Sequence, residues 1–233
     1  MNPGAEHEEN QPDALPPVVT VDGGAATGKS STARGVAARL NLLHVDTGSH
    51  YRALTLLLLR QGIAPRESHA LDRALRALSL SSGVAGTEAY LLADGERPSA
   101  AELRGEDVNR SVSAFAALAP VRLRLLRYQR WHRTLAAERG LRGLIMEGRD
   151  IGSVVFPEAE FRFFLEADAD TRVRRRLEEG QTDSVVERDQ ADTGRKAAPL
   201  LCPPGAIRID TARHTLGEVI DLICDRVDPG AAG

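Results

Sequence analysis

The residues best placed to do chemistry sit near the start of the chain. Gly23-Gly24-Ala25-Ala26-Thr27-Gly28-Lys29-Ser30 satisfies G-x-x-x-x-G-K-[ST] at every specified position. Glycines let such a loop curl until successive backbone N–H groups point inward and form a nest for phosphate oxygens. The helix expected from Lys29 adds unpaired N–H groups and the positive end of its dipole. Lys29 would neutralise the β- and γ-phosphates of ATP, and the Ser30 hydroxyl would coordinate Mg2+. With Ser31 the run forms a complete donor site. A plain glycine-rich turn is the bland alternative, and context weighs against it. The run follows the apolar stretch Val18-Val19-Thr20-Val21 and precedes Ala33, Val36, Ala37 and Leu40 at helical spacing. The chain has 28 arginines and only two lysines, Lys29 and Lys196. An ammonium on a flexible stem suits a compact cradle better than a planar guanidinium does.

Such a loop establishes nucleotide binding, and other residues must define the reaction. Neither D-x-x-G with N-K-x-D, as a regulatory GTPase needs, nor a convincing apolar run ending in adjacent acidic residues, as a motor needs, is present. A small kinase remains, and it must hold a second, acceptor phosphate. Three clusters could supply the groups: Asp46 to Arg52, Glu147 to Gly152, and Arg188, Asp192 and Arg195. Each follows or precedes a candidate strand, and open parallel sheets bind ligands at the carboxyl ends of their strands. Taken singly, Arg52 and Arg122 would be solvated or in surface ion pairs, and Asp150 could cap a helix. One arginine of Arg174-Arg175-Arg176 can reach the donor, the others being solvated. His44, His50, His132 and Trp131 are assigned to packing, since phosphoryl transfer needs no imidazole ligand.

The elements that must position these residues alternate. Candidate strands Val18–Asp22, Leu42–Val45, Leu144–Met146, Phe161–Leu165 and Ala206–Ile209 are separated by helical patterns. Tyr51 to Gln61 is one, Leu71, Ala74, Leu75 and Leu78 another, and Val121, Leu125, Tyr128 and Leu135 mark a long third. The last, Thr215 to Val227, opens with a capping box at Thr215 and Glu218. Short apolar strands between helices predict an α/β fold with a five-stranded parallel sheet covered on both faces. Residues 82–110 form a polar insert with a hairpin-like Asp94-Gly95, and 174–195 a charged lid. Residues 1–17 are expected to be a disordered tail, 18–228 one kinase domain and 229–233 a second short tail.

Composition narrows the setting. A formal charge of −3 on 233 residues gives no electrostatic case for nucleic acid or a membrane surface. Cys202 and Cys224 share no metal-ligand spacing, the histidines form no H-E-x-x-H pair, and no apolar run approaches a membrane span. The acidic, proline-bearing N-terminus lacks a secretion signal. A cytoplasmic monomer is expected, because no apolar patch or heptad demands a partner.

The motifs together resemble one family. Asp22-Gly23 with the phosphate loop, Asp46-Thr47-Gly48 with Tyr51-Arg52, and the string Gly148-Arg149-Asp150-Ile151-Gly152-Ser153-Val154-Val155-Phe156-Pro157 look like bacterial cytidylate kinases. So do Gly105-Glu106-Asp107-Val108 ahead of Ser113 and Arg122, and Glu187-Arg188-Asp189 ahead of Asp192, Arg195 and Ala198-Pro199-Leu200. The likeness covers roughly residues 18–227. It implies the P-loop kinase fold and transfer of phosphate from ATP to CMP or dCMP with Mg2+. Arg52 and Arg149 would grip the CMP phosphate by bidentate forks. Ser113, Arg122 and Asp150 would read the cytosine edge, assisted by Thr47. Arg188 and Asp192 would hold the ribose. Arg195 would bridge toward the transferring phosphoryl group, making Lys29, Arg149 and Arg195 the catalytic set. Two departures stand out. The family commonly has Pro at the position of Gly24 and Gly at that of Ala26, so Ala26 is expected to keep a negative φ. Only ten residues separate Arg176 from Glu187, about half the usual lid. UMP or shikimate as acceptor, or a regulator without catalysis, are the rival readings.

Overall fold

The computed structural model describes residues 15–178 and 200–228. Its centre is β1 (Val18–Gly23), buried at every position. Hydrogen bonds to parallel strands on both sides leave no edge for water. Chain order continues with α1 (Lys29–Leu40), β2 (Leu42–Asp46), α2 (Thr47–Arg60), α3 (His69–Ala77), β3 (Leu80–Ala85) and β4 (Glu88–Ala93). Then come α4 (Ala100–Leu103), α5 (Glu106–Ala116), α6 (Ala119–Glu138), β5 (Gly143–Gly148), β6 (Phe161–Glu166), α7 (Ala169–Glu178) and β7 (Ile207–Asp210). The helix α8 (Leu216–Val227) opens with the capping box expected at Thr215 and Glu218.

The sheet has seven strands in the order β3-β4-β2-β5-β1-β6-β7, correcting the expected five. Five of them, β2-β5-β1-β6-β7, are the expected parallel set. The other two are an antiparallel hairpin whose strand β4 touches β2 in parallel through Glu88 and His44. Ser81, Ser82 and Gly83 hid the hairpin from apolar alternation, because β3 is a half-exposed edge. Asp94 and Gly95 do form a tight turn, with φ of 50° and 85° between bridged Ala93 and Glu96. That turn closes β4 back on itself rather than joining β3 to β4.

Period-two alternation along the central strands feeds two cores. Ile145 faces Val36, Leu40 and Ile223 beneath α1 and α8, while Leu144 and Met146 face Leu135 and Phe156 on the other side. A third core, Leu54, Leu58, Leu71, Leu75, Phe115 and Leu125, locks α2, α3, α5 and α6 together. Each fully buried Leu or Phe contributes about 1.5–3 kcal/mol. Register then sets the level of the polar groups. Asp46 lies opposite Glu147 and Asp22 opposite Gly148, so the carboxyl ends of β1, β2 and β5 meet at one place.

Candidate active site

The loop after β1 curls around a carbonyl. Thr27 Oγ1 and Lys29 Nζ both donate to the Gly24 oxygen, at 3.1 and 2.6 Å. Gly28 caps α1 at φ 87°, a conformation glycine adopts without cost. Ala26 departs from expectation. Its φ is 56°, left-handed despite the Cβ, because the loop must reverse there before α1 can begin. The cost for a non-glycine residue is roughly 1–2 kcal/mol. Behind the loop, Thr211 Oγ1 donates to Thr27 O at 3.1 Å, and Arg175 donates to Thr211 Oγ1 and O. Arg175 is thereby a brace for the loop. Arg176 lines the cleft, and Arg172 Nη1 lies 3.5 Å from Ala25 O.

Carboxylates gather beside the loop. Ser30 Oγ donates to Glu147 Oε2 at 2.7 Å, and Glu147 Oε1 sits 3.0 Å from His44 Nε2. Asp22 accepts the backbone N–H groups of Ile151 and Gly152, each at 2.7 Å. Those bonds hold a π-helical turn, Ile151–Val155, directly after Arg149 and Asp150. Burial pushes Asp22 up to about 6, against the pull of its two N–H partners. Asp46 also rises to about 6, from burial and then the nearby Glu147 charge.

The acceptor residues come from four elements. Arg52 on α2 donates to Leu103 O at 2.9 Å and Asn109 Oδ1 at 2.7 Å. Arg122 on α6 pairs with Asp150 and lies over the Tyr51 ring, its side chain 11% exposed against 6% for Asp150. Asp150 makes no capping bond with its side chain. Arg149 Nη1 donates to Gly23 O at 3.2 Å, spanning from the acceptor strand to the donor loop. Thr47 directs its hydroxyl to Glu147 O at 2.7 Å. Gly148 cannot carry a side chain, because a Cβ would lie 2.6 Å from Thr47 Oγ1 and Ile151 Cδ1.

Most of these groups border one cleft of ≈ 380 Å³, within the range of small-ligand sites; Arg122 is not on its lining and is linked to it through Asp150. Ala25, Ala26, Lys29 and Ser30 form one wall. Arg52, Ser113, Arg149 and Asp150 form the other, with Thr47 between. Gly23, Gly24, Thr27, Gly28 and Ser31 complete the turn behind the first wall. Arg188, Asp192 and Arg195 lie outside the described residues, as does most of the expected lid. Sequence reasoning placed Glu147 in the acceptor cluster but gave it no role beside Ser30, although the apolar run Leu144-Ile145-Met146 ending in an acid was its signal. It also passed over Arg104 on the cleft wall and Arg172 near Ala25. For those two, spacing alone gave no clue.

Among the described residues no three His, Cys, Asp or Glu side chains form a metal cage. A hydroxyl held by one buried carboxylate instead fits Mg2+, which usually keeps several waters and takes substrate phosphate oxygens as ligands.

His50 and His132 are packed as expected: their rings stack on each other inside the α2–α6 interface, with Tyr128 tilted against His50 and edge-on to His132. Ser82 Oγ bonds Tyr128 Oη and His132 Nε2, linking β3 to α6. Burial lowers His132 to about 4, holds His50 well below the ordinary imidazole value, and raises Tyr128 to about 12.

Comparison with known proteins agrees with this geometry. The family model described as cytidylate kinase matches residues 19–228. A cytidylate kinase from Mycobacterium avium is 39% identical over 221 residues, covering 90% of this chain and 94% of that protein. One from a Geobacter species is 39% identical over 217 residues, covering 88% and 90%. One from Streptomyces coelicolor is 36% identical over 229 residues, covering 95% and 97%.

Proposed function

The chain belongs to the cytidylate kinase family, and we propose that it transfers the γ-phosphoryl group of ATP to CMP and dCMP, giving ADP and CDP or dCDP. One observation carries the reading: a single cleft has Lys29 and Ser30 on one wall and Arg52, Arg149 and Asp150 on the other. Phosphoryl transfer places charge on equatorial oxygens between an attacking and a leaving oxygen. A site that fixes two anions in line and surrounds them with cations supplies most of the catalysis. Lys29 and the backbone N–H groups of the loop hold the donor phosphates. Arg52 and Arg149 hold the acceptor phosphate, and Arg149, bonded to Gly23 O, stands between the two. Asp150 and Arg122 offer an acceptor and donors to the amine and carbonyl of cytosine, with Ser113 beside them. Arg188, Asp192 and Arg195 retain the ribose and bridging roles that the family implies. Ser30, backed by Glu147, would hold Mg2+, which neutralises phosphate charge. The partition into a kinase domain with an acceptor insert near 82–110 and a short lid near 174–195 belongs to the same reading. So does a cytoplasmic monomer acting on small molecules, without nucleic acid. No described helix is long and apolar enough to cross a membrane. ADP release measured with CMP, dCMP, UMP, AMP and shikimate tests the proposal. CMP and dCMP should be preferred, and a preference for UMP, AMP or shikimate would overturn it.

A further inference from the structure

His44 is almost wholly enclosed, 3% exposed, and so is Glu147 at 2%. Their side chains meet at 3.0 Å, and the other Glu147 oxygen takes the Ser30 hydroxyl at 2.7 Å. The three groups form a chain from β2 through β5 to the first turn of α1. The His44 backbone N–H donates to Thr87 O at 2.7 Å, which anchors the start of the chain where the hairpin joins the sheet. A carboxylate's terminal torsion is broad and roughly two-fold, so one hydrogen bond leaves its plane poorly fixed. Two bonds on opposite oxygens fix it. A buried charged carboxylate also needs partners for both oxygens.

We propose that His44 is a positioning residue for the donor half of the site. It donates Nε2–H to Glu147 Oε1, which fixes Oε2 as the acceptor of the Ser30 proton. With that proton committed, the lone pairs of Ser30 Oγ stay available to a divalent cation. His44 touches neither substrate nor cation and acts through Glu147 alone. The role rests on the Mg2+ reading given above. Groups that orient a metal ligand from behind are typically worth 10–100-fold in metal affinity.

The test compares wild type, His44→Leu and His44→Gln, using AMP-PNP binding by calorimetry with and without Mn2+. The ratio of the two affinities is the metal coupling. In His44→Leu it should fall about tenfold, while metal-free AMP-PNP affinity is kept and thermal unfolding stays cooperative, at a lower midpoint because Glu147 Oε1 loses its partner. Gln, whose amide can also donate to Oε1, should recover most of the ratio; a purely structural histidine would give no such selective recovery. If His44→Leu does not fold, His44→Asn, too short to reach Oε1, takes its place. Full coupling in the Leu or Asn variant overturns the role of His44 while leaving the Mg2+ reading intact. A wild type whose AMP-PNP affinity ignores Mn2+ overturns both.

Discussion

The two walls of the cleft are built in different ways. The donor wall is one continuous run of residues whose working groups are chiefly backbone N–H, plus Lys29 and Ser30. Its shape follows from local backbone angles at Ala26 and Gly28. The acceptor wall is assembled from side chains on α2, α5 and the turn after β5, with Arg122 of α6 paired to Asp150. Those side chains are aligned only because Leu54, Leu58, Phe115 and Leu125 pack the helices into one core. Chemistry common to all phosphates can be written locally, whereas recognition of one base needs a tertiary fold. The walls are tied by Arg149 to Gly23 O and by Asp22 to Ile151 and Gly152.

The contrast can be broken at either wall. Lys29→Ala removes the donor loop's own cation at the phosphates, and kcat should fall by about 10²–10³-fold or more, with CMP affinity kept. Equal losses of ATP and CMP affinity would show that the walls are not separable. Arg122→Ala removes one ion-pair partner of the buried Asp150, and breaking such a pair typically costs about 3–5 kcal/mol. Urea unfolding should register that loss together with a raised KM for CMP and an unchanged KM for ATP.

A third test uses the histidine cluster that joins the acceptor helices. His132 is about 4 in the fold and near 6.5 unfolded, so the unfolded chain binds more protons between those values. Stability from neutral His132 is complete above pH ~6.5 and is lost as pH falls toward 4, by about 2 kcal/mol at pH 5. Asp22 has the opposite sign. Its folded value of about 6 exceeds the model-compound 3.8, so the native state holds the proton more tightly and gains stability as pH falls through 6. The two largely offset in wild type. In His132→Phe the difference in unfolding free energy from wild type should therefore shrink by about 2 kcal/mol between pH 7 and pH 5. A pH-independent difference would contradict the buried neutral histidine. The smallest effect belongs to Ala26→Gly, which relieves the left-handed Cβ but loosens the unfolded chain. A gain of about 0.5–1 kcal/mol is expected from urea melts, with kcat little changed.

Legibility in the sequence followed the same divide. Gly23 to Ser30 could be placed and given its chemistry because the contacts are local, and the parallel strands could be listed because burial on both faces makes β1, β2 and β5 nearly continuous apolar runs. The hairpin β3–β4 escaped notice, since a half-exposed edge with Ser81, Ser82 and Gly83 carries no apolar pattern. On the acceptor wall, Arg52, Arg122 and Asp150 look like ordinary charged residues when taken alone, and resemblance to a family had to nominate them. The fold then brings Arg122 and Asp150 together from 28 positions apart. Glu147 was visible only as an acid at the end of a strand. Its partners, Ser30 and His44, are set by the register of β2 against β5.

The central claim is that the acceptor wall reads cytosine, and it is tested most directly by the ratio of kcat/KM for CMP to that for UMP in wild type and Asp150→Asn. The ratio should strongly favour CMP in wild type. It should fall by about 10²-fold in the variant through loss of activity on CMP, since an unpaired polar group in a specificity site typically costs a few kcal/mol. An unchanged ratio in Asp150→Asn, or a wild type that prefers UMP, would contradict the account.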